Sequence, residues 1–307
     1  MSQAVIPPLG AGQIETPSGK DAAYENFPVG SWLLPPALRP HVAVYYAFAR
    51  AIDDIADNPD LPAADKIARL DAFAAALGAA TDDEAAPPKA REMRETLDRT
   101  GISPRHCTDL VVAFKQDALK GRYDDWNDLI GYCLKSASPV GRFLLDLHGG
   151  STRGYGASDA LCNALQVINH LQDCGDDYRD LDRVYLPLDW IRAEGAAVSD
   201  LARPALTPAL RRVLDRCLDG VDVLLADAAA LPGGLASRRL ALESAAIIEI
   251  ARTLAARLRR QDPLAGRVSL SKDTYLWCCV RGAAGELAAM TASAFGGRRE
   301  AGAPAGR

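Results

Sequence analysis

The stretch "YYAFARAIDDIADNP", Tyr45 to Pro59, sets three carboxylates, Asp53, Asp54 and Asp57, at the end of a segment patterned as a buried helix. Val44, Phe48, Ile52 and Ile55 recur at helical intervals. Pro40 sits early enough for a first turn, and Asn58-Pro59 stops the run. On such a helix Asp53 and Asp57 share a face, roughly 6 Å apart along the axis. Arg50 lies one turn before Asp53 and Tyr46 one turn before Arg50, so the four form a polar stripe beside the apolar one. Two like charges at this spacing repel by about a few tenths of a kcal/mol in an isolated helix. A solvated face with an Arg50–Asp53 pair accounts for the stripe as well as a cation site does. A hard ion such as Mg²⁺, which prefers carboxylate oxygen, would reverse the repulsion.

A second stretch, "LQVINHLQDCGDDYRDLDRVYLP" from Leu165 to Pro187, repeats the arrangement. Asn169, Asp173 and Asp177 recur every fourth residue, with Gln166 one turn earlier, while Val167, Ile168 and Leu171 point elsewhere. Charge runs are usually solvated faces. Here the polar residues at 166, 169 and 173 interrupt an apolar segment, and the pattern occurs on two helices far apart in the chain. Facing each other, the stripes would surround a cavity that needs cations. Mg²⁺ held by a few carboxylates plus a substrate phosphate suits that geometry. Asp176 and Asp180 are expected to face water or add outer acceptors. His170 is turned off the Asn169 face and is expected to be structural. Cys133 and Cys174 read as buried, inert thiols, and Asp54 lies beside the cation face.

Outward from these stretches the chain is helical throughout. "ADKIARLDAFAAAL" and "AIIEIARTLAARLRR" have helical spacing, and period-two β-branched runs are scarce. The 307 residues are read as all-α, with an extended arm over 1–20, one domain over 21–290 and a disordered tail over 291–307. "ATDDEAAPPKA", Ala80 to Ala90, reads as a surface loop, and a helix ends before Pro187. A net charge of −5 argues against nucleic acid as a partner. No apolar run is long enough to span a membrane, and the N-terminal segment lacks a secretory pattern. Seven cysteines without a CxxC pair read as reduced thiols of a cytoplasmic protein, and the four histidines have no zinc spacing. No GxGxxG fingerprint for a nicotinamide or flavin is present.

"YAFARAIDDIAD" and "QVINHLQDCGDDYRDLDRVYLP" resemble the two aspartate-rich motifs of the squalene/phytoene synthase family, the second with its Arg-x-Tyr-x-Pro continuation. "YCLKSASPVG", Tyr132 to Gly141, resembles that family's cavity-lining segment. The likeness runs from about residue 20 to about residue 285. It implies an all-α isoprenoid synthase fold around a central cavity. It implies Mg²⁺ on Asp53, Asp57, Asn169, Asp173 and Asp177, and diphosphate contacts from Arg50, Arg183 and Arg267. Tyr46, Tyr132, Gln166 and Tyr185 would stand at the reacting end. Phe27, in "ENFPVGSWLLP", and the small Ala137 and Gly141 would line the space for the chains.

Within the family, "ENFPVGSWLLP", "SASPVG" and "NHLQDCGDDYRDLDRVYLP" are most similar to the bacterial hydroxysqualene-forming subgroup of hopanoid biosynthesis. That subgroup is implied to act as a carbon–oxygen lyase, converting presqualene diphosphate and water to hydroxysqualene and diphosphate. The alternative is a prenyltransferase that condenses two prenyl diphosphates head to head to presqualene diphosphate, squalene or phytoene. Gln172 stands where many condensing members have Arg, and no tyrosine occurs near Ile247–Ile250. Both departures count against condensation. A non-catalytic relative could have lost the metal ligands, and here all five are present. Handover to a separate presqualene diphosphate synthase and a hydroxysqualene reductase is expected. The implied substrate partitions into lipid, which allows peripheral contact with the inner face of the membrane.

Overall fold

In the computed structural model the first acidic stretch lies at the end of helix α1, Arg39–Asp57. Pro40 occupies its first turn, and Asn58 turns extended ahead of Pro59 and ends it. Its inner face buries Val42, Tyr45, Phe48, Ile52 and Ile55. Tyr45 stacks on Phe143 with centroids 4.1 Å apart, and Phe48 meets Phe73 edge-on at 5.8 Å. The structure describes Glu15 and residues 34–78, 86–150 and 154–300, with side chains to residue 292. Phe27, nearly all of the 1–20 arm, and residues 301–307 lie outside the described residues, as do residues 80–85 of the surface loop expected over Ala80 to Ala90. The rest of that stretch is not surface loop, because Ala86 and Ala90 are buried and Pro88 already begins a helix.

The remaining helices are α2 (Ala63–Ala76), α3 (Pro88–Thr100), α4 (Arg105–Asp117), α5 (Trp126–Ser136), α6 (Ser138–Leu147), α7 (Tyr155–Gln172) and α8 (Cys174–Leu181). Then follow α9 (Leu188–Ala193), α10 (Pro208–Ala228), α11 (Arg238–Leu258) and α12 (Lys272–Glu300). The all-α expectation holds: among the described residues the only β pairing is one isolated parallel bridge, Arg122 to Val184. Helix α7 is central, packed by α5, α6, α10 and α11, and α12 lies along α11. Helix α12 runs to Glu300, past the boundary expected near 290. Its alanine-rich sequence favours helix without needing an apolar stripe. Among the described residues no helix is long and apolar enough to cross a membrane.

Three local features set the site. Ala137, with φ −121° and ψ −47°, breaks α5 from α6, and Pro139 then starts α6 in its first turn. The second acidic stretch bends at Asp173, between α7 and α8, whereas the spacing predicted one helix. The backbone bonds Asp173 N to Asn169 O (3.0 Å) and Asp177 N to Asp173 O (2.8 Å) continue across the bend, so the stripe survives it. Finally, Asp182 adopts φ 49°, a left-handed cap that turns the chain out of α8. The turned segment bonds back through Val184 N to Gly121 O (2.8 Å). A Cβ on Gly121 would stand 2.7 Å from the Asp182 carbonyl oxygen, so only glycine admits this approach.

Candidate active site

One cavity of about 400 Å³ opens between α1, α4–α8 and α11. It gathers thirteen of the fifteen candidate residues: Tyr46, Arg50, Asp53, Asp57, Tyr132, Ala137, Gly141, Gln166, Asn169, Asp173, Asp177, Arg183 and Tyr185. Of the other two, Phe27 lies outside the described residues. Arg267 is exposed and outside the lining. Its neighbour Val268 accepts a bond from Gln172 Nε2, which ties that segment to the residue before Asp173. Asp54 is buried and outside the lining, beside the cation face as expected.

The polar end joins both stripes. Arg50 Nη1 donates to Asp53 Oδ2 at 2.7 Å. Arg183 reaches from the segment after α8 to α1, donating to Asp57 Oδ1 at 2.5 Å and to the Ala56 carbonyl at 3.0 Å. Loss of water, and then Asp57, push the Asp53 carboxyl well above its ordinary value, against Arg50. Burial, then Asp173 and Asp57, push Asp177 up to about 8. The two stripes therefore repel one another across the cavity, and two arginines offset only part of it. Burial disfavours the charge of Arg183, yet Tyr185, Asp117 and Asp57 hold its proton more tightly than usual.

Next to this end is an aromatic cluster. Tyr132 Oη donates to Asp117 Oδ2 at 2.7 Å, and Tyr185 Oη to Asp117 Oδ1 at 3.2 Å. Tyr123 packs on both rings, with centroids 5.3 and 5.5 Å away. Burial pushes Asp117 up to about 7, against Arg183 and the two phenols. His170 corrects the expectation that it points away: it lines the cavity and stacks on Tyr185, centroids 3.6 Å apart. Gln166 and His170 are four residues apart, so the cavity follows one broad face of α7, from Ser158 through Leu161, Cys162 and Leu165 to His170. Burial, then Arg183, lower the imidazole to about 3, so it is neutral. Its Nε2 lies 3.3 Å from Gln166 Nε2.

Away from the charges the wall is apolar and small. Val42, Ala49, Ala137, Val140, Leu144, Leu161, Leu165, Leu240 and Ile247 line it. Gly141 lies within contact distance of Ser158 and Cys162, so a larger residue there would push into α7. Sequence reasoning missed three polar residues at this site. Asp117 occupies a position on the apolar stripe of Leu110, Ala113 and Phe114, and a carboxylate on such a stripe was its signal. Lys66 donates to the Ala56 carbonyl at 2.7 Å, and burial, then Arg183, lower its proton affinity. Nothing in its flanking sequence marks it. His170 is the third.

Among the described residues no three carboxylate, imidazole or thiol side chains converge into a closed metal cage. The donor set is nonetheless all hard oxygen, mutually repelling and open to a cavity. That fits an ion that takes few protein ligands and completes its shell with phosphate and water.

The squalene/phytoene synthase family model matches residues 21–274. The chain is 45% identical over 266 residues to a hydroxysqualene synthase of Rhodopseudomonas palustris, covering 85% of this chain and 89% of that one. It is 40% identical over 272 residues to a hydroxysqualene synthase of Zymomonas mobilis, covering 88% and 91%. The crystal structure of squalene synthase HpnC from Alicyclobacillus acidocaldarius superimposes with a TM-score of 0.69 at 34% identity, covering 78% of this chain and 89% of that one.

Proposed function

The chain belongs to the squalene/phytoene synthase family, and from that premise we propose that it acts as a hydroxysqualene synthase. It would be a carbon–oxygen lyase converting presqualene diphosphate and water to hydroxysqualene and diphosphate. The observation that carries this reading is one cavity that joins an acidic, arginine-bearing end, an aromatic middle and an apolar remainder. The similarity to hydroxysqualene synthases over most of both chains supports the choice of substrate.

Asp53, Asp57, Asn169, Asp173 and Asp177 would hold Mg²⁺. Bound Mg²⁺ would supply Lewis-acid stabilisation of the negative charge that develops on the leaving diphosphate. Arg50 and Arg183 share in that electrostatic role from the cavity wall, with Lys66 beside Arg183. Arg183 also bridges the stripes through Asp57, so a diphosphate competes with an existing ion pair for it. Tyr46 and Tyr132, both in the cavity lining, supply the aromatic faces that stabilise the cation formed on ionisation and ring opening through their quadrupoles. Tyr46, Gln166 and Asn169 are the polar groups that orient the capturing water. The apolar wall holds the two chains and keeps other water out.

Leu276, Val280 and Leu287 share one exposed face of α12, with Trp277 beside it. That face supports peripheral contact with a lipid surface, from which so apolar a substrate would arrive. Flotation with vesicles, with and without Trp277→Ser, reads it. A separate enzyme would make the substrate, and a reductase would consume the alcohol. The functional reading is tested by incubating the protein with presqualene diphosphate, Mg²⁺ and no reductant. A C30 alcohol and free diphosphate in equal amounts are expected. No product from presqualene diphosphate, with C30 product from farnesyl diphosphate alone, would establish the condensing alternative instead.

A further inference from the structure

Asp117 belongs to neither acidic stripe. It closes α4, is 8% exposed and lines the cavity. Its two oxygens receive protons from two phenols that arrive on different segments, Tyr132 from α5 and Tyr185 from the strand-like stretch after α8. A phenol has one proton to donate. With Asp117 ionised, as it is above about pH 7, that proton of Tyr132 and of Tyr185 is directed to Asp117, so what each oxygen offers the cavity is lone pairs. Both rings line the cavity, and Tyr123 and His170 clamp them from behind and beside. Hydrogen-bond acceptors fixed in an apolar space attract positive charge and bind the hydrogens of water.

We propose that Asp117 is a positioning residue that makes proton acceptors of Tyr132 and Tyr185, and that the proton released when water captures the cation leaves through one of these phenols to Asp117. The proposal rests on the water-capture reading above. Water's oxygen forms its bond to the cationic carbon with one of its own electron pairs. The resulting oxonium then loses one proton, and the electron pair of that O–H bond stays on the new hydroxyl. The phenol oxygen takes this proton as its own passes to Asp117. The step ends with a neutral alcohol, a neutral phenol and a protonated carboxyl, which returns the proton to solvent or to the departing diphosphate. No electrons are exchanged with a further reagent. Concerted transfer avoids a phenolate, which burial and Asp117 disfavour strongly at Tyr132 and Tyr185.

The test is the amount of C30 alcohol formed per diphosphate released, measured together from presqualene diphosphate with Mg²⁺. Asp117→Asn keeps the shape, but its amide hydrogens oblige one phenol to accept and to turn its proton into the cavity. The alcohol per diphosphate released is expected to fall by about tenfold or more, the balance appearing as C30 elimination products. Tyr132→Phe or Tyr185→Phe should lower the ratio likewise, and adding Asp117→Asn to that variant should lower it no further. A merely structural role would slow both readouts together. An unchanged ratio in Asp117→Asn therefore overturns the proposal. If that variant does not fold, unchanged ratios in both phenylalanine variants overturn it. A wild-type protein that forms no alcohol overturns the water-capture reading itself, and this is seen before any variant is made.

Discussion

Replacing Asp117 by Asn should change how folding stability depends on pH, and the structure fixes both sign and size. Burial raises the Asp117 carboxyl from an ordinary 3.8 to about 7. In the unfolded chain the group ionises near pH 4, whereas in the folded protein it keeps its proton until about pH 7. Between these values the folded state binds the extra proton, so stability falls as pH rises, and above the folded value the loss is complete. At about 1.4 kcal/mol per tenfold change in proton affinity, the loss amounts to about 4 kcal/mol. Asn cannot ionise, so the variant escapes it. At pH 4 the variant should be less stable than wild type by about 1 kcal/mol, for one weakened hydrogen bond. By pH 8 it should be the more stable by about 3 kcal/mol. The titratable and charged groups that act on Asp117 are Tyr123, Tyr132, Tyr185, Cys133, Arg183, Lys66, Asp53 and Asp57. Burial holds the three phenols neutral over this range, Arg183 stays charged, and Asp57 is common to both proteins. Urea midpoints in EDTA at pH 4, 5, 6, 7 and 8 measure the difference. A difference that stays flat within about 1 kcal/mol across the series, or that slopes the other way, would refute a buried Asp117 with a raised proton affinity.

EDTA treatment should abolish turnover of presqualene diphosphate and Mg²⁺ should restore it; undiminished turnover in metal-free protein contradicts the assignment of the five oxygen ligands. Asp53→Asn and Asp173→Asn should each lower turnover by about two orders of magnitude or more, while thermal midpoints in EDTA hold or rise because one repelling charge is gone. Unfolding with full specific activity per folded molecule would mark these acids as structural. Gly141→Ala puts a methyl group into Ser158 and within 2.7 Å of Cys162 Sγ. It should cost about 1–3 kcal/mol and lower the melting temperature by about 2–4 °C per kcal/mol; an unchanged melting temperature would mean that α6 and α7 are not in close contact there.

The helices were legible where a local pattern forces them. Proline at the start of α1, four apolar positions on one face and Asn58-Pro59 at its end leave little alternative. The two stripes were legible because polar residues repeat at helical spacing inside apolar segments, and side chains at that spacing share a face whatever packs against them. Asp117 and His170 were harder. One ends an apolar stripe and the other lies next to Asn169 but one turn beyond Gln166, at the edge of the polar stripe, and their environment is set by α5, α7 and the segment after α8. Arg183 and Tyr185 reach the cavity because Asp182 turns left-handed and the chain then docks on Gly121. That contact joins residues far apart in sequence, and no local propensity encodes it. Arg267 shows the reverse limit: a motif match gives a residue type, while the loop that carries it decides where the guanidinium stands.

The claim that water, rather than hydride or a second prenyl chain, ends the reaction is tested most directly with presqualene diphosphate, Mg²⁺ and NADPH together in H₂¹⁸O. Hydroxysqualene should be the main C30 product with NADPH present, its hydroxyl carrying the heavy oxygen, and no hydroxysqualene should form when the protein is omitted. Squalene as the main product, or an alcohol whose oxygen is unlabelled, would contradict the account.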